Sequence, residues 1–368
     1  MTIRLNPALT LLLLNSVCSP ADFTIGVIPD TQFLSQTTAG ATLFTAMNQF
    51  FVDRKDSLNV KFVVSVGDMT QNQCVAAEWA RAKAAYDVFV PVNIPYAPCL
   101  GNHDALSCIN STFPVSQFSM KPYWGGSYGG IENSYYLFGA EGMQFVLVVH
   151  NYIRNSGAEA WVNSTFATYR NRRGIYAVHT GISKAVATED RMVAPVVTPN
   201  DNLFLGVQGH LCETNGEEYW TNRSVGGKTQ HMIRTDYQCR SNLGAIIRYY
   251  TFKPALNQIC AFTYDISTRQ YEVDAGSQFC FTYDMTPTAI ERKPGQKSPV
   301  LVTGSMDVSK LNNPTSVRIY DMAGKWKLTR MIGQGQASVS FPELESGHYL
   351  ASFATTAGAI QVPIVLIP

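Results

Sequence analysis

Five short apolar runs in the first two-thirds of the chain each end on a polar side chain able to ligate a metal, and this repetition constrains the fold most. The runs are FTIGVIPDTQ, ending at Asp30 and Gln32; KFVVSVGD, ending at Asp68; IPYAPCLGNHD, ending at Asn102 and His103; GIYAVH, ending at His179; and NLFLGVQGH, ending at His210. Runs of this length, rich in Val, Ile and Phe, are what strands of a covered sheet look like. Ligands of open α/β sheets bind outside the carboxyl ends of the strands, so residues distant in sequence converge on one edge. Taken singly, an Asp after a strand forms a turn or caps a helix, and a His on an apolar strand is a core or rim residue. Five such ends in series set those readings aside. Gly stands beside the polar residue at Gly67 with Asp68 and at Gly101 with Asn102, where backbone turns sharply or something approaches closely. Aspartates, asparagine, glutamine and histidines together form a mixed oxygen and nitrogen ligand set. It suits a borderline metal or a close metal pair better than an all-oxygen calcium cage.

Between these ends the chain alternates as a layered α/β fold should. AAEWARAKAAYDVFV places Trp79, Ala82, Tyr86 and Phe89 near helical spacing, and AEAWVNSTFATYR does the same before the His179 strand. NSYYLFGAEGMQFVLVVH reads as a hairpin turning at Ala-Glu-Gly. KPYWGGSYGG, with Tyr123, Trp124 and Tyr128, reads as a long aromatic loop, either a substrate wall or packed on its own core. His150 ends the run QFVLVVH and is a candidate substrate contact, with a plain strand-end histidine as the alternative.

The chain has 368 residues, long for one domain, and an apolar content of 46% that can bury a sizeable core. A net charge of +1 excludes an electrostatic argument for nucleic acid or an anionic membrane surface. No Gly-rich phosphate loop or basic cluster is present either. Residues 1–20 hold one Arg, an apolar stretch and then small residues, the outline of a secretory signal peptide too short to span a bilayer stably. No other run approaches a membrane span. Eight cysteines without a C-x-x-C fit export to an oxidising compartment, so a secreted or cell-surface protein is expected. Cys260 with Cys280, Cys74 with Cys108 and Cys212 with Cys239 are candidate pairs.

PDTQ, VGDMTQN, LGNHD, AVHT and QGHLCE, in that order, resemble the five motifs of the calcineurin-like metallophosphoesterases, in particular a secreted branch that opens with D-T-Q. The likeness covers residues 22–285. It implies two β-sheets flanked by helices and two divalent ions, drawn from zinc, manganese or iron, that share Asp68. One ion would take Asp68, Asn102, His179 and His210. The other would take Asp30, then Gln32 where the family has His, then Cys212 where it has the second His of G-H-x-H. Both departures fall on the same ion: a Gln carbonyl is a neutral, harder ligand, whereas a Cys thiolate is soft and prefers zinc. The resemblance further implies phosphomonoester or phosphodiester hydrolysis by metal-activated hydroxide, with His103 protonating the leaving oxygen. Asp104 is expected to fix the tautomer of His103.

A boundary is expected at 286–299, where PTAIERKPGQKSP concentrates Pro, Lys and Gly. Residues 300–368 then read as short strands of a small β-sandwich. VRIYDMAGK followed by LESGHYL resembles the C-terminal sorting domains of type IX secretion cargo, which would make secretion machinery a partner; an accessory sandwich is the alternative. Three functional classes follow: a secreted phosphoesterase, a binding or surface protein on the same fold weakened by Gln32 and Cys212, and an adhesive scaffold.

Overall fold

The computed structural model describes residues 21–286 and, apart from short loops, 300–367. The expected signal peptide and nearly all of the expected linker lie outside these residues. The chain forms two compact units, Met1–Ile290 and Glu291–Pro368.

In the first unit the strands are β1 (Phe23–Ile28), β2 (Val60–Ser65), β3 (Tyr96–Ala97), β4 (Trp124–Tyr128), β5 (Gly130–Ala140), β6 (Met143–His150) and β7 (Arg173–Val178), followed by β8 (Leu203–Gln208), β9 (Glu217–Arg223), β10 (Thr229–Thr235), β11 (Ile246–Lys253), β12 (Gln258–Asp265), β13 (Gln270–Glu272) and β14 (Phe279–Thr282). They build two seven-stranded mixed sheets. One runs β13-β12-β11-β1-β2-β3, with β14 also on β12; the other runs β4-β5-β6-β7-β8-β10-β9. β1, β2 and β3 are parallel in the first sheet, and β6, β7, β8 and β10 in the second. The α-helices are α1 (Gln32–Ser35), α2 (Thr38–Asp53), α3 (Ala76–Asp87), α4 (Leu106–Thr112), α5 (Val115–Phe118) and α6 (Ser156–Thr168).

The layers follow from strand alternation. Phe23 of the first sheet stacks on Phe252 and meets Phe145 of the second edge-on at 5.8 Å, and Phe62 stacks on Phe138 at 5.1 Å. Phe145, Leu147 and Val149 therefore face the core between the sheets. Val146 and Val148 face the other way, onto Val162 and Phe166 of α6. On the far side of the first sheet lie α2 (Thr38–Asp53) and α3 (Ala76–Asp87). Gly26 lets the ring of Phe51 sit directly on the sheet, since a Cβ there would lie 2.6 Å from it. Thr37 starts α2 by accepting the Gly40 amide at 3.0 Å. Asn155 starts α6 (Ser156–Thr168) by accepting the amides of Gly157 and Ala158.

The expected hairpin is β5–β6. Ala140 pairs with Met143 around Glu141 and Gly142, both at positive φ (48° and 78°), as a two-residue turn matched to strand twist requires. The aromatic segment is not a loop. Residues 124–128 pair with β5 as an edge strand; Tyr123 and Trp124 pack on Tyr136 at 6.2 and 5.5 Å, while Tyr128 is exposed.

The second unit is all β. Its five-stranded sheet runs β15 (Val300–Thr303), β21 (Gly358–Ile367), β20 (Gly347–Thr355), β17 (Pro314–Asp321), β18 (Trp326–Met331), and a ribbon pairs β16 (Ser305–Asp307) with β19 (Ser338–Ser340). Val302, Val317, Ile319, Phe353 and Ile364 are among its buried core.

Candidate metal centre

All five polar strand ends reach the same edge. Asp30 and Gln32 follow β1, Asp68 follows β2, Asn102 follows β3, His179 follows β7 and His210 follows β8. The two sheets are tied there by His179, whose Nδ1 donates to the Val66 carbonyl at 2.9 Å and leaves a lone pair on Nε2. Asn102 Oδ1 lies 2.7 Å from that Nε2 and Asp68 Oδ2 3.4 Å from it, both oxygens bringing lone pairs and no proton. His210 Nδ1 is 3.1 Å away. Asp68, His179 and His210 offer ligand atoms all within 4.8 Å of one another. Such a convergence of acceptors fits a cation, and the oxygen and imidazole set fits a borderline divalent ion.

The backbone is shaped for this crowding. Gly67 (φ 104°) has no room for a side chain, because a Cβ would stand 2.7 Å from His179 Nδ1; at Gly101 a Cβ would run into Asp68 itself. Asp68 (φ 47°) and His210 (φ 75°) hold left-handed backbone, a conformation costing about 1–3 kcal/mol and retained where surrounding structure over-determines it.

Asp30 and Gln32 reach the edge differently. Asp30 Oδ2 accepts the His210 amide at 3.0 Å, and the Thr31 amide bonds the Asp68 carbonyl at 3.0 Å. Asp30 Oδ1 and Gln32 Oε1 are buried and have no hydrogen-bond partner. Gln32 opens α1 (Gln32–Ser35), a single turn that brings the amide inside. Two acceptors left without donors at a buried strand end fit a second cation.

The charges agree. Burial pushes Asp68 up to about 6. It holds Asp30 well above the usual carboxylate range, helped by the charges of Asp236 and then Asp68. Burial depresses His179 to about 3 and also lowers His210, with His179 adding to the effect. Neutral imidazoles beside carboxylates that ionise reluctantly are the state a divalent cation stabilises.

Three expectations are corrected. Cys212 is disulfide-bonded to Cys239 and has no thiolate to offer; Cys74–Cys108 and Cys260–Cys280 are also bridged. Asp104 does not touch the His103 ring. Its carboxylate accepts the amides of Gly101 (3.0 Å), Met69 (3.1 Å) and Thr70 (2.9 Å) and the Thr70 hydroxyl (2.9 Å). It braces the Asp68 loop against the Asn102 loop, while burial and the Asp68 charge raise it to about 7. His103 is instead oriented by the Gln71 carbonyl, 3.0 Å from Nδ1, and its amide donates to Asp68 Oδ1 at 2.8 Å. The Gln71 carbonyl was not foreseen, because a backbone acceptor leaves no mark on residue type. His150, finally, is fully buried, with Nδ1 2.7 Å from the Tyr176 hydroxyl and burial lowering it to about 4. It shares the α6 side of β6 with Val146 and Val148, away from the site, and is a core histidine.

The sequence profile of the calcineurin-like phosphoesterases matches residues 23–227. The chain is 22% identical over 284 residues to an uncharacterized protein, YvnB, of Bacillus subtilis strain 168; the match covers 72% of this chain and 22% of the length of that relative. Among solved structures, GAP50, the anchor in the inner membrane complex of Plasmodium, shares 11% identity at a TM-score of 0.48, covering 73% of this chain and 90% of its own. TT1561 of Thermus thermophilus shares 10% identity at a TM-score of 0.39, covering 68% of this chain and 98% of its own. With a profile match across more than half of its length, the chain belongs to the calcineurin-like phosphoesterase family.

Proposed function

We propose that the protein is a secreted, metal-dependent phosphoesterase of the D-T-Q branch. The observation that carries this reading is the meeting of Asp68 Oδ2, Asn102 Oδ1, His179 Nε2 and His210 Nδ1 at one point. Asp68, Asn102, His179 and His210 would hold one divalent ion, and Asp30 and Gln32 would help hold the other, with Asp68 shared. When bound, such ions supply Lewis acidity, lower the pKa of water and neutralise charge on a phosphoryl group.

The chain's own residues provide the rest. The neutral ligands Asn102, His179 and His210 keep the loaded site net positive, so that it attracts a phosphate ester. His103 is partly exposed beside the site, and its Nδ1–H is committed to the Gln71 carbonyl. A proton on Nε2 then passes to the departing alkoxide, while the Nδ1–H bond holds the ring. Asp104 keeps the two ligand loops in register throughout. The three disulfides accord with an oxidising compartment, and no helix among the described residues is long and apolar enough to cross a membrane. Residues 300–368 would act as a sorting-type module for a secretion apparatus, a role supported by the all-β fold of that unit and its VRIYDMAGK text.

Hydrolysis of bis-p-nitrophenyl phosphate and p-nitrophenyl phosphate by EDTA-treated protein, with and without added Mn²⁺ or Zn²⁺, tests the reading. Metal-restored turnover that disappears in Asp68→Ala is expected. A protein that binds its ions stoichiometrically and hydrolyses neither ester would refute the catalytic assignment.

A further inference from the structure

The metal reading leaves the ion at Asp30 short of ligands once Cys212 is committed to Cys239. A sixth strand end lies beside it. β10 is the parallel neighbour of β8, with Arg234 opposite Gln208, and Asp236 directly follows β10 as His210 follows β8. The Asp236 side chain is almost fully buried. Its Oδ2 stands 3.8 Å from Cys212 Sγ, at the position where the family pattern carries an imidazole. The disulfide from Cys212 to Cys239 staples the turn that holds Asp236 to the loop that holds His210.

On this basis, and resting on the metal reading above, we infer that Asp236 is a ligand of the ion held by Asp30 and Gln32, replacing the second imidazole of the G-H-x-H motif. One observation independent of the pairing points the same way: Asp30 Oδ1 and Gln32 Oε1 are buried acceptors without a donor. The competing role is local. Asp236 Oδ1 accepts the Gln238 amide and Oδ2 the Gln238 side-chain amide, both at 3.0 Å, bracing the turn. These bonds occupy one lone pair on each oxygen and leave the other free. Replacing an imidazole by a carboxylate shifts the donor set toward oxygen, which favours Mn²⁺ over Zn²⁺ at this ion.

The test is Mn²⁺ titration of the metal-stripped full-length protein, followed by the electron paramagnetic resonance signal of free Mn²⁺ and by elemental analysis. Wild type should take up two ions. Asp236→Asn keeps an acceptor for the Gln238 amide, and should weaken one ion by more than 100-fold, beyond the roughly 10–100-fold typical of a supporting residue, leaving the other unchanged. Asp236→His, which supplies the family's imidazole, should hold both ions and move the preference of the first toward Zn²⁺. It also serves if Asp236→Asn does not fold. Gln238→Ala removes the side-chain bond to Asp236 Oδ2, keeping the backbone one, and should keep both ions. Two ions bound by Asp236→Asn with wild-type affinity would overturn the assignment and leave the hydrolase reading standing. Equal weakening by Gln238→Ala would reduce Asp236 to a turn brace. Wild-type protein that takes up no metal would overturn the metal reading itself, and this inference with it.

Discussion

Replacing Asp104 with Asn probes the joint on which the whole site depends. The Asp104 carboxylate collects three backbone amides and one hydroxyl from two loops, and one of those loops carries Asp68 while the other carries Asn102. An Asn side chain keeps one oxygen and turns an NH₂ toward the remaining donors. If the oxygen stays with Thr70, the amides of Gly101 and Met69 face a donor; in the other orientation the Thr70 amide and hydroxyl do. Each buried donor so stranded costs about 1–3 kcal/mol, so a loss of about 2–4 kcal/mol is expected, or about 5–15 °C in melting temperature. Measurement at pH 8 keeps wild-type Asp104 ionised, since burial and Asp68 raise it to about 7. Thermal unfolding, Mn²⁺ affinity and the dependence of the rate on leaving group should be read together. Bracing predicts lower stability, weaker metal binding and an unmoved leaving-group dependence, because His103 keeps its bond to Gln71. A variant with wild-type stability and metal affinity but a changed leaving-group dependence would show that Asp104 acts through His103 after all.

His103→Asn should cut turnover by about 10²–10⁴-fold with metal content intact, and the loss should shrink for esters with good leaving groups; undiminished hydrolysis of an alkyl ester would exclude it as the acid. Asp68→Ala should strip both ions, whereas Asp30→Ala should strip one, as elemental analysis of the purified variants would reveal. Metal affinity should fall as pH drops below about 6. Asp68, raised to about 6 in the metal-free protein, takes a proton there that competes with the ion, while His179, depressed to about 3, stays neutral. Isothermal titration at pH 5.0 and 7.0 measures this, and affinity independent of pH would remove Asp68 from the ligand set. Opening the Cys212–Cys239 loop, with a sequence separation of 27 residues, by Cys212→Ser with Cys239→Ser should cost about 3–4 kcal/mol on the chain-entropy argument; urea unfolding that shows no loss would place the disulfide outside the cooperative core.

What the sequence disclosed and what it withheld divide along a physical line. The ends of β1, β2, β7 and β8 were legible because a covered strand is a run of apolar letters, and the first polar residue after it marks the edge where ligands bind. His150 shows where the same rule stops. Strand alternation carries the missing information: with Phe145, Leu147 and Val149 facing the other sheet, His150 must follow Val146 and Val148 onto the helix side. Asp104 was misread because its neighbour in sequence is His103, yet at a tight turn adjacent side chains diverge, and its carboxylate closes on amides some 34 or 35 residues away. Asp236 was passed over for a different reason. HMIRTD holds only Met232 and Ile233 between polar residues, and so lacks the unbroken apolar run by which the other strand ends are recognised. β10 has on one side only β9, a strand whose residues are mostly exposed or half-buried, and a strand so placed need not be apolar throughout. Only the pairing of β10 with β8, and the 3.8 Å from Asp236 Oδ2 to Cys212 Sγ, bring it to the loop that follows β8. A candidate metal site at the seam of two sheets is therefore written in the sequence where its strands are central. Where they approach the margin, candidate ligands become visible only once the pairing is known.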